Sequence, residues 1–302
     1  MAVIETIAPI FFIIIFGYII QRKGFLKSHF ISEANRFIFL FPLPVLIFTG
    51  IVKSNIKYVT FSHIFSVLLP TGIIFCIALL LGIIVGLRRG RLGSFVQTTF
   101  HGNVTYIGLA VLFYMLGEEG LKKGSILIGF LILINNSLAI AILSWTSQKQ
   151  QNILKALIPI IKTPVIIATF LGILVLYANI SLPNVLLKGM GILANIALPM
   201  ALIIIGASMS IGTIKKSFKL SAVVSFLKLM VLPFLAVLYC KMYYISPKDA
   251  LPGIILLATP TATTSYILAR EIGGDTDLAS GAITLSTLVS PLTFILWASL
   301  IR

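Results

Sequence analysis

Ten long apolar runs, separated by short polar connections, make up most of this chain of 302 residues. The composition is 59% hydrophobic and 10% charged, whereas soluble domains carry about 25% charged residues. Each helix that crosses a membrane needs about 20 apolar residues, so ten of them use nearly the whole chain. We therefore predict an all-α integral protein of the inner or plasma membrane with ten transmembrane helices. The spans are predicted near residues 5–21, 35–52, 61–87, 95–116, 124–145, 163–179, 190–211, 218–241, 250–270 and 278–300.

Two of these runs, the fourth and the ninth, are interrupted by glycine, proline and polar residues. The interruptions lie at residues 102–106 and 259–264. Each is followed at the same distance by a turn that combines glycine with acidic residues, at 117–119 and at 274–277. Breaks at corresponding places in the two halves of a membrane chain are typical of the binding site of a transporter.

The two halves of the chain repeat each other. Pro9 matches Pro164, and Gly17 matches Gly172, at one offset of 155 positions, and the two interruptions follow at an offset of 157. Five spans in each half is an odd number, so the second copy has to enter the membrane upside down. We predict an inverted repeat, with one five-helix unit at residues 1–145, a cytoplasmic linker at 146–162 and a second unit at 163–302.

The basic residues predict how the chain is oriented. Lys and Arg outnumber Asp and Glu by 23 to 8, which gives a net charge of +15. They form short clusters between the apolar runs, as at residues 88–91, without interleaved aromatic residues. That pattern favours contact with anionic lipid over binding of nucleic acid. With the N-terminus outside, 14 basic residues fall in inward loops and 8 in outward loops, so both termini are predicted to be non-cytoplasmic.

The interrupted segments contain the candidate binding residues. A helix broken within a membrane leaves backbone groups that lipid cannot satisfy, so protein or a water-lined cavity must supply their partners. Asn103 can donate and accept, and Pro260 interrupts a helix because it lacks an N–H. A helix N-terminus at such a break carries about +0.5 charge, which suits a carboxylate. The predicted substrate-binding residues are Asn103, Thr105, Tyr106, Asn136, Lys228, Pro260, Thr261, Thr263 and Thr264.

Other interpretations of these residues stay open. A proline kink and a mid-span asparagine can serve helix packing alone, and Asn136 could bond to a neighbouring helix instead of lining a path. Lys228 is the only charged residue well inside a predicted span. Its insertion costs on the order of 2.5–3.5 kcal/mol, so some interaction has to offset that cost. Lys228 could attract an anionic substrate, or it could neutralise the negative C-terminal ends of the half-helices at the breaks.

The sequence lacks the residues that an ion-binding carboxylate pair or an enzyme active site would need. No Asp or Glu lies deep in a predicted span, so a carboxylate pair that binds Na⁺ or H⁺ is not expected. The sequence contains none of the common metalloprotease, serine hydrolase or phosphate-binding loop motifs. We therefore expect a protein that is not an enzyme and that needs no cofactor and no metal.

Short motifs along nearly the whole chain are similar to those of one known family. They include Asn35-Arg36 ahead of residues 43–48, then residues 102–108, and residues 260–266 ahead of 273–275. These segments resemble the auxin efflux carrier family in its compact prokaryotic form. Ala110 takes the place of a proline that this family usually has in the fourth span.

The resemblance implies a fold and a function. The fold would have ten helices in two inverted repeats, with broken helices 4 and 9 crossing each other. The function would be a secondary transporter that exports or exchanges a small organic anion, such as an auxin-like acid, malate or malonate, by alternating access. Spans 1, 2, 6 and 7 would form a scaffold, which could also mediate a homodimer, and the other spans would form the moving unit. The alternatives are a membrane sensor that keeps the transporter fold and a sodium-coupled anion symporter.

Overall fold

The computed structural model describes residues 2–54, 60–147, 158 and 160–301, and within these ranges the regular elements are all helical. Among the described residues, seven helical segments are long and apolar enough to cross a membrane, and Pro164–Tyr177 is a shorter apolar helix. The prediction of an all-α, multi-pass membrane protein is confirmed. The seven segments are Val3–Arg22, Ser28–Val52, Phe61–Ile84, Val104–Thr146, Asn184–Ser208, Ile211–Met242 and Thr276–Ile301.

The helices are numbered in chain order. The first half of the chain forms α1 (Ala2–Arg22), α2 (Ser28–Leu40), α3 (Pro42–Val52), α4 (Phe61–Ile84), α5 (Arg89–Phe100) and α6 (Leu109–Thr146). The second half forms α7 (Pro164–Tyr177), α8 (Asn184–Ala194), α9 (Ala197–Ser208), α10 (Ile211–Phe226), α11 (Leu232–Met242), α12 (Pro247–Leu257), α13 (Thr264–Ile272) and α14 (Thr276–Ile301). Two π-helical turns, Val104–Gly108 and Leu227–Val231, lead into α6 and α11.

Some of the sequence predictions fall on residues that the structure does not describe. Residues 148–157 and 159, which make up most of the predicted linker, lie outside the described residues. The basic residues Lys57, Lys149, Lys155 and Arg302, which entered the orientation count, lie outside them too.

The second span begins earlier than the sequence predicts. Its helical part starts at Ser28, in α2, rather than near residue 35. The cause is that α2 is amphipathic, with polar side chains such as Glu33 and Arg36 between its apolar ones. A search for uninterrupted apolar residues misses a helix of this kind. The difference matters because it places Asn35 and Arg36 in the middle of a helix instead of at its first residues.

The turn after the first interruption is made by one glycine. Gly117 has φ 63° and ψ −151°, which joins two helical pieces within α6. This backbone conformation is rare for residues with a Cβ and is available to glycine. The reversal brings Gly120 and Gly124 against Leu112, so the two pieces of α6 pack on each other.

Ion pairs join neighbouring segments at two ends of the bundle. At the first end Arg91 lies 3.7 Å from Asp275, and Lys216 pairs with Asp277 close by. We call this the Arg91 end. At the other end Lys123 Nζ donates to Asp249 Oδ1 over 2.7 Å, and we call this the Lys123 end.

Helices α1 and α9 approach each other so closely that no side chain fits between them at two glycines. α1 packs on α9, and α3 packs on α7. A Cβ on Gly206 of α9 would overlap the carbonyl group of Ile14, and one on Gly17 of α1 would overlap the carbonyl group of Ile203. Small residues that let two helix backbones meet are a common basis of helix association in membranes.

We expect Gly206→Leu to prevent this approach and to lower the free energy of unfolding by at least about 3 kcal/mol. Thermal unfolding of the purified protein in detergent would measure the loss. Gly189→Leu on α8 is the control, because no atom lies within 4 Å of a Cβ built there. An unfolding midpoint of Gly206→Leu equal to that of the control would contradict the close packing of α1 and α9.

Candidate functional site

The first interruption ends one helix and begins another. α5 ends at Phe100, and the chain resumes helical structure in the π turn that starts at Val104. Asn103 caps this turn, because its Oδ1 accepts a hydrogen bond of 3.3 Å from the backbone N–H of Tyr106. Asparagine is among the residues most suited to that position. The first break therefore forms without a proline.

The second interruption separates α12 from α13. α12 ends at Leu257 and α13 begins at Thr264. Between them the backbone N–H of Thr261 donates to Ser286 Oγ over 3.0 Å. The Thr261 hydroxyl donates to the carbonyl of Thr98 over 2.9 Å. α14 thus supplies a partner for the broken backbone at Thr261, and the Thr261 side chain in turn satisfies a carbonyl in the last turn of α5.

The two breaks bond directly to each other. The N–H of Asn103 donates to the carbonyl of Pro260, and the N–H of Ala262 donates to the carbonyl of His101, each over 2.8 Å. Gly102 and Thr261 thereby form an isolated antiparallel β-bridge. Residues 101–103 and 260–262 are called the crossing below. The two segments occupy corresponding positions in the two halves of the sequence, and in the fold they are in contact.

Lys228 lies behind the crossing, in the π turn before α11. Its side chain has no exposed surface, and its Nζ donates to the carbonyl of Leu257 over 2.6 Å. That carbonyl is at the C-terminal end of α12, where a helix carries partial negative charge. A Cβ on Gly102 would lie 3.0 Å from Lys228 Nζ and 2.5 Å from Thr259 Oγ1. The ammonium group therefore contacts the C-terminal end of α12. It also lies so close to residue 102 that only glycine fits there.

A cavity of about 320 Å³ lies on the other side of the crossing. The N-terminal ends of the two resumed helices form part of its wall, at residues 104–106 and 262–264. α2 forms a further part of the wall, and the second piece of α6 adds Ile132, Asn135 and Asn136. The lining residues are Asn35, Arg36, Phe39, His101, Gly102, Asn103, Val104, Thr105, Tyr106, Ile132, Asn135, Asn136, Ala262, Thr263, Thr264 and Ile267.

A second cavity of about 400 Å³ adjoins the first, since Asn35, Tyr106, Thr263 and Ile267 line both. It reaches towards the Arg91 end, where Asp277 lines it. Tyr106 Oη donates to Asn35 Oδ1 over 2.9 Å between the two cavities. This hydrogen bond joins α2 to the segment that follows the crossing.

The residues predicted to bind substrate fall into two groups. Those that line the 320 Å³ cavity are Asn103, Thr105, Tyr106, Asn136, Thr263 and Thr264. Pro260, Thr261 and Lys228 are buried and are not part of its lining. Their contacts hold the backbone of the crossing, because Pro260 accepts from Asn103 and Thr261 bonds to α5 and α14.

Several residues that line the cavity were not among the predicted binding residues. Asn35 and Arg36 lie on α2, where the sequence predicted only the first residues of the second span, and Asn135 is the neighbour of the chosen Asn136. His101 adjoins the first break. The polar face of α2 was the available signal for the first two. The described residues contain no group of three or more His, Cys, Asp or Glu side chains that could hold a metal ion.

Comparison with known proteins places this fold in a family. Residues 2–298 match the family described as membrane transport protein, which is the family of the auxin efflux carriers. The chain belongs to this family. The match covers nearly all of the sequence, so the family resemblance drawn from the short motifs is confirmed.

Individual members of the membrane transport protein family are similar to this chain at low identity. One is an uncharacterized transporter of Methanothermobacter thermautotrophicus, 24% identical over 97% of both chains. Another, of Methanocaldococcus jannaschii, carries the same description and is 23% identical over 97% of both chains. A third, from Rhizobium meliloti, is named "Putative malonate transporter" and is 23% identical over 95% of this chain and 92% of its own length.

Proposed function

We propose that this protein is a secondary carrier that moves a small organic anion across the inner or plasma membrane by alternating access. The observation that supports this most is the electrostatic layout around the crossing. Two helix N-termini, each with about +0.5 charge, border the cavity. The Lys228 ammonium group, which contacts the C-terminal end of α12, lies behind the crossing. An anion is thus favoured in the cavity.

The proposed architecture has ten spans in two inverted repeats, at residues 1–145 and 163–302. The packing supports it, because the offset of 155 relates span 1 to span 6 and span 2 to span 7. α1 of span 1 packs on α9 of span 7, and α7 of span 6 packs on α3 of span 2. This is the exchange of partners that a pseudo-two-fold axis produces. The Arg91 end would face the cytoplasm, with both termini outside.

In the proposed cycle, spans 1, 2, 6 and 7 form a scaffold, and the crossing moves with spans 3–5 and 8–10. The cavity lies between the two units, because α2 supplies one wall and the crossing another. The bond from Tyr106 to Asn35 joins the units in the observed conformation. Movement of the crossing relative to α2 would then open the site towards one side and close it towards the other.

The proposed substrate is a small carboxylic acid in its anionic form. Amide and hydroxyl groups of Asn103, Thr105, Asn136, Thr263 and Thr264 border the cavity and can bond to carboxylate oxygens. The relative named for malonate gives a first compound to test. A volume of about 320 Å³ is at the lower end of the range for sites that enclose a small molecule, about 300–1,000 Å³.

A thermal-shift panel of dicarboxylates, indole acids and bile acids tests the substrate class on the purified protein. We expect at least one small carboxylate to raise the unfolding midpoint in a saturable manner, because a ligand that binds only the folded state stabilises it. Amides of the same acids serve as uncharged controls. If no organic anion stabilises the protein more than its amide does, the proposed substrate class is wrong.

A further inference from the structure

Among the described residues that line the 320 Å³ cavity, Arg36 is the one with a formally charged side chain. It lies on α2, and the N-terminal ends at residues 104–106 and 262–264 line the same cavity. An anion in this cavity would therefore be bordered by a guanidinium group and by two positive helix ends. Arginine suits such a role because its planar group donates two parallel hydrogen bonds to a carboxylate.

The guanidinium group of Arg36 has no acidic partner in the described part of the chain. The ion pairs found there join Arg91 to Asp275, Lys122 to Glu119, Lys123 to Asp249 and Lys216 to Asp277. Glu33, three residues before Arg36 on the same helix, takes part in none of them. Arg36 is also exposed, so its charge is available to a ligand.

Lys228 is not available in the same way. Its side chain is fully buried, and its ammonium group is bonded to the Leu257 carbonyl. The backbone at Gly102 separates it from the cavity, since a Cβ there would almost touch its Nζ. A ligand in the cavity can therefore contact Arg36 directly, whereas it cannot contact Lys228.

On the basis of the proposed carrier function, we propose that Arg36 binds the carboxylate of the substrate and selects for anions. The carboxylate accepts hydrogen bonds from Arg36 on α2 and from groups at the crossing. It thus connects the proposed scaffold to the proposed moving unit. The adjacent bond from Asn35 to Tyr106 spans the same interface and keeps α2 in place for this contact.

The test compares Arg36→Gln and Arg36→Lys with the wild-type protein, using malonate and its uncharged analogue malonamide as probes. We expect Arg36→Gln to raise the Kd for malonate about 10- to 100-fold, the size of a lost charge-assisted hydrogen bond. Arg36→Lys should recover part of the affinity, because it keeps the charge but loses the two-pronged geometry. The unfolding midpoint without ligand and the response to malonamide should not change. Lys23→Gln, which removes an exposed charge outside both cavities, is the matched control.

The outcomes separate this inference from the proposed function. Unchanged malonate affinity in Arg36→Gln, with binding intact in wild-type protein, would overturn the role of Arg36 alone. Absence of anion binding by the wild-type protein would reject the proposed function and the inference together. If Arg36→Gln does not fold, Arg36→Lys decides the matter, since complete loss of malonate binding with the charge retained would contradict the proposal.

Discussion

Replacement of Lys228 by methionine is expected to destabilise the protein rather than to abolish substrate binding selectively. In the wild-type protein the Lys228 ammonium donates to the Leu257 carbonyl at the end of α12. Methionine has a similar length but no donor, so this buried carbonyl loses its partner and the helix end loses its positive neighbour. Hydrogen bonds from charged groups contribute about 1.5–3 kcal/mol, and we expect a loss of about 2 kcal/mol in the free energy of unfolding. Thermal unfolding in detergent would measure it.

Lys219→Met provides the matched control, because Lys219 is an exposed residue near the end of the same span. We expect its unfolding midpoint to equal that of the wild-type protein. A Lys228→Met protein with a wild-type midpoint that no longer binds any organic anion would contradict the account. Such a result would mean that the ammonium group contacts the substrate, which is the other interpretation that the sequence left open.

Replacement of Gly102 by alanine is expected to separate the two broken segments and to lower transport at least about tenfold. The added methyl group would lie 2.5 Å from Thr259 Oγ1 and 3.0 Å from Lys228 Nζ. Neither neighbour can move freely, since Thr259 Oγ1 donates to the Leu256 carbonyl and Lys228 to that of Leu257. The bond from Asn103 to Pro260 would have to break, which costs about 1 kcal/mol or more per buried group. Uptake of radiolabelled malonate into proteoliposomes would measure the effect.

A second substitution tests whether this loss is steric. Thr259→Ala removes the nearest atom, so Gly102→Ala with Thr259→Ala should recover part of the transport that Gly102→Ala loses. Gly189→Ala is the control for an added methyl group in the membrane, because nothing lies within 4 Å of its Cβ position. Wild-type transport by Gly102→Ala alone would show that the crossing tolerates a side chain, against the account.

The position of the crossing could be predicted from the sequence because backbone chemistry determines it. Asparagine, glycine and proline at residues 102–103 and 260 interrupt a helix through their own conformations and hydrogen bonds. These effects depend on few neighbours, so the breaks appear where the sequence places them. The cap of Asn103 on Tyr106 explains why the first break needs no proline.

The walls of the site could not be predicted in the same way, because they depend on packing between distant segments. Pro260 and Thr261 were expected to contact substrate, but they do not line the cavity. The hydrogen bonds of Thr261 to Thr98 and Ser286 hold the backbone of the crossing in place. Arg36 was placed at the predicted start of the second span, because the polar residues of α2 interrupt the apolar pattern that marks a span. The residues of a break do not indicate which distant helix will pack against it.

Malonate counterflow in proteoliposomes shows directly whether the protein carries an organic anion through the cavity beside the crossing. Purified protein would be reconstituted with unlabelled malonate inside the vesicles and a trace of radiolabelled malonate outside. We expect transient, saturable accumulation of label that requires internal malonate and weakens in Arg36→Gln. Label that enters without saturation and regardless of internal malonate would indicate a channel. No entry despite binding would indicate a sensor, and either result would contradict the account.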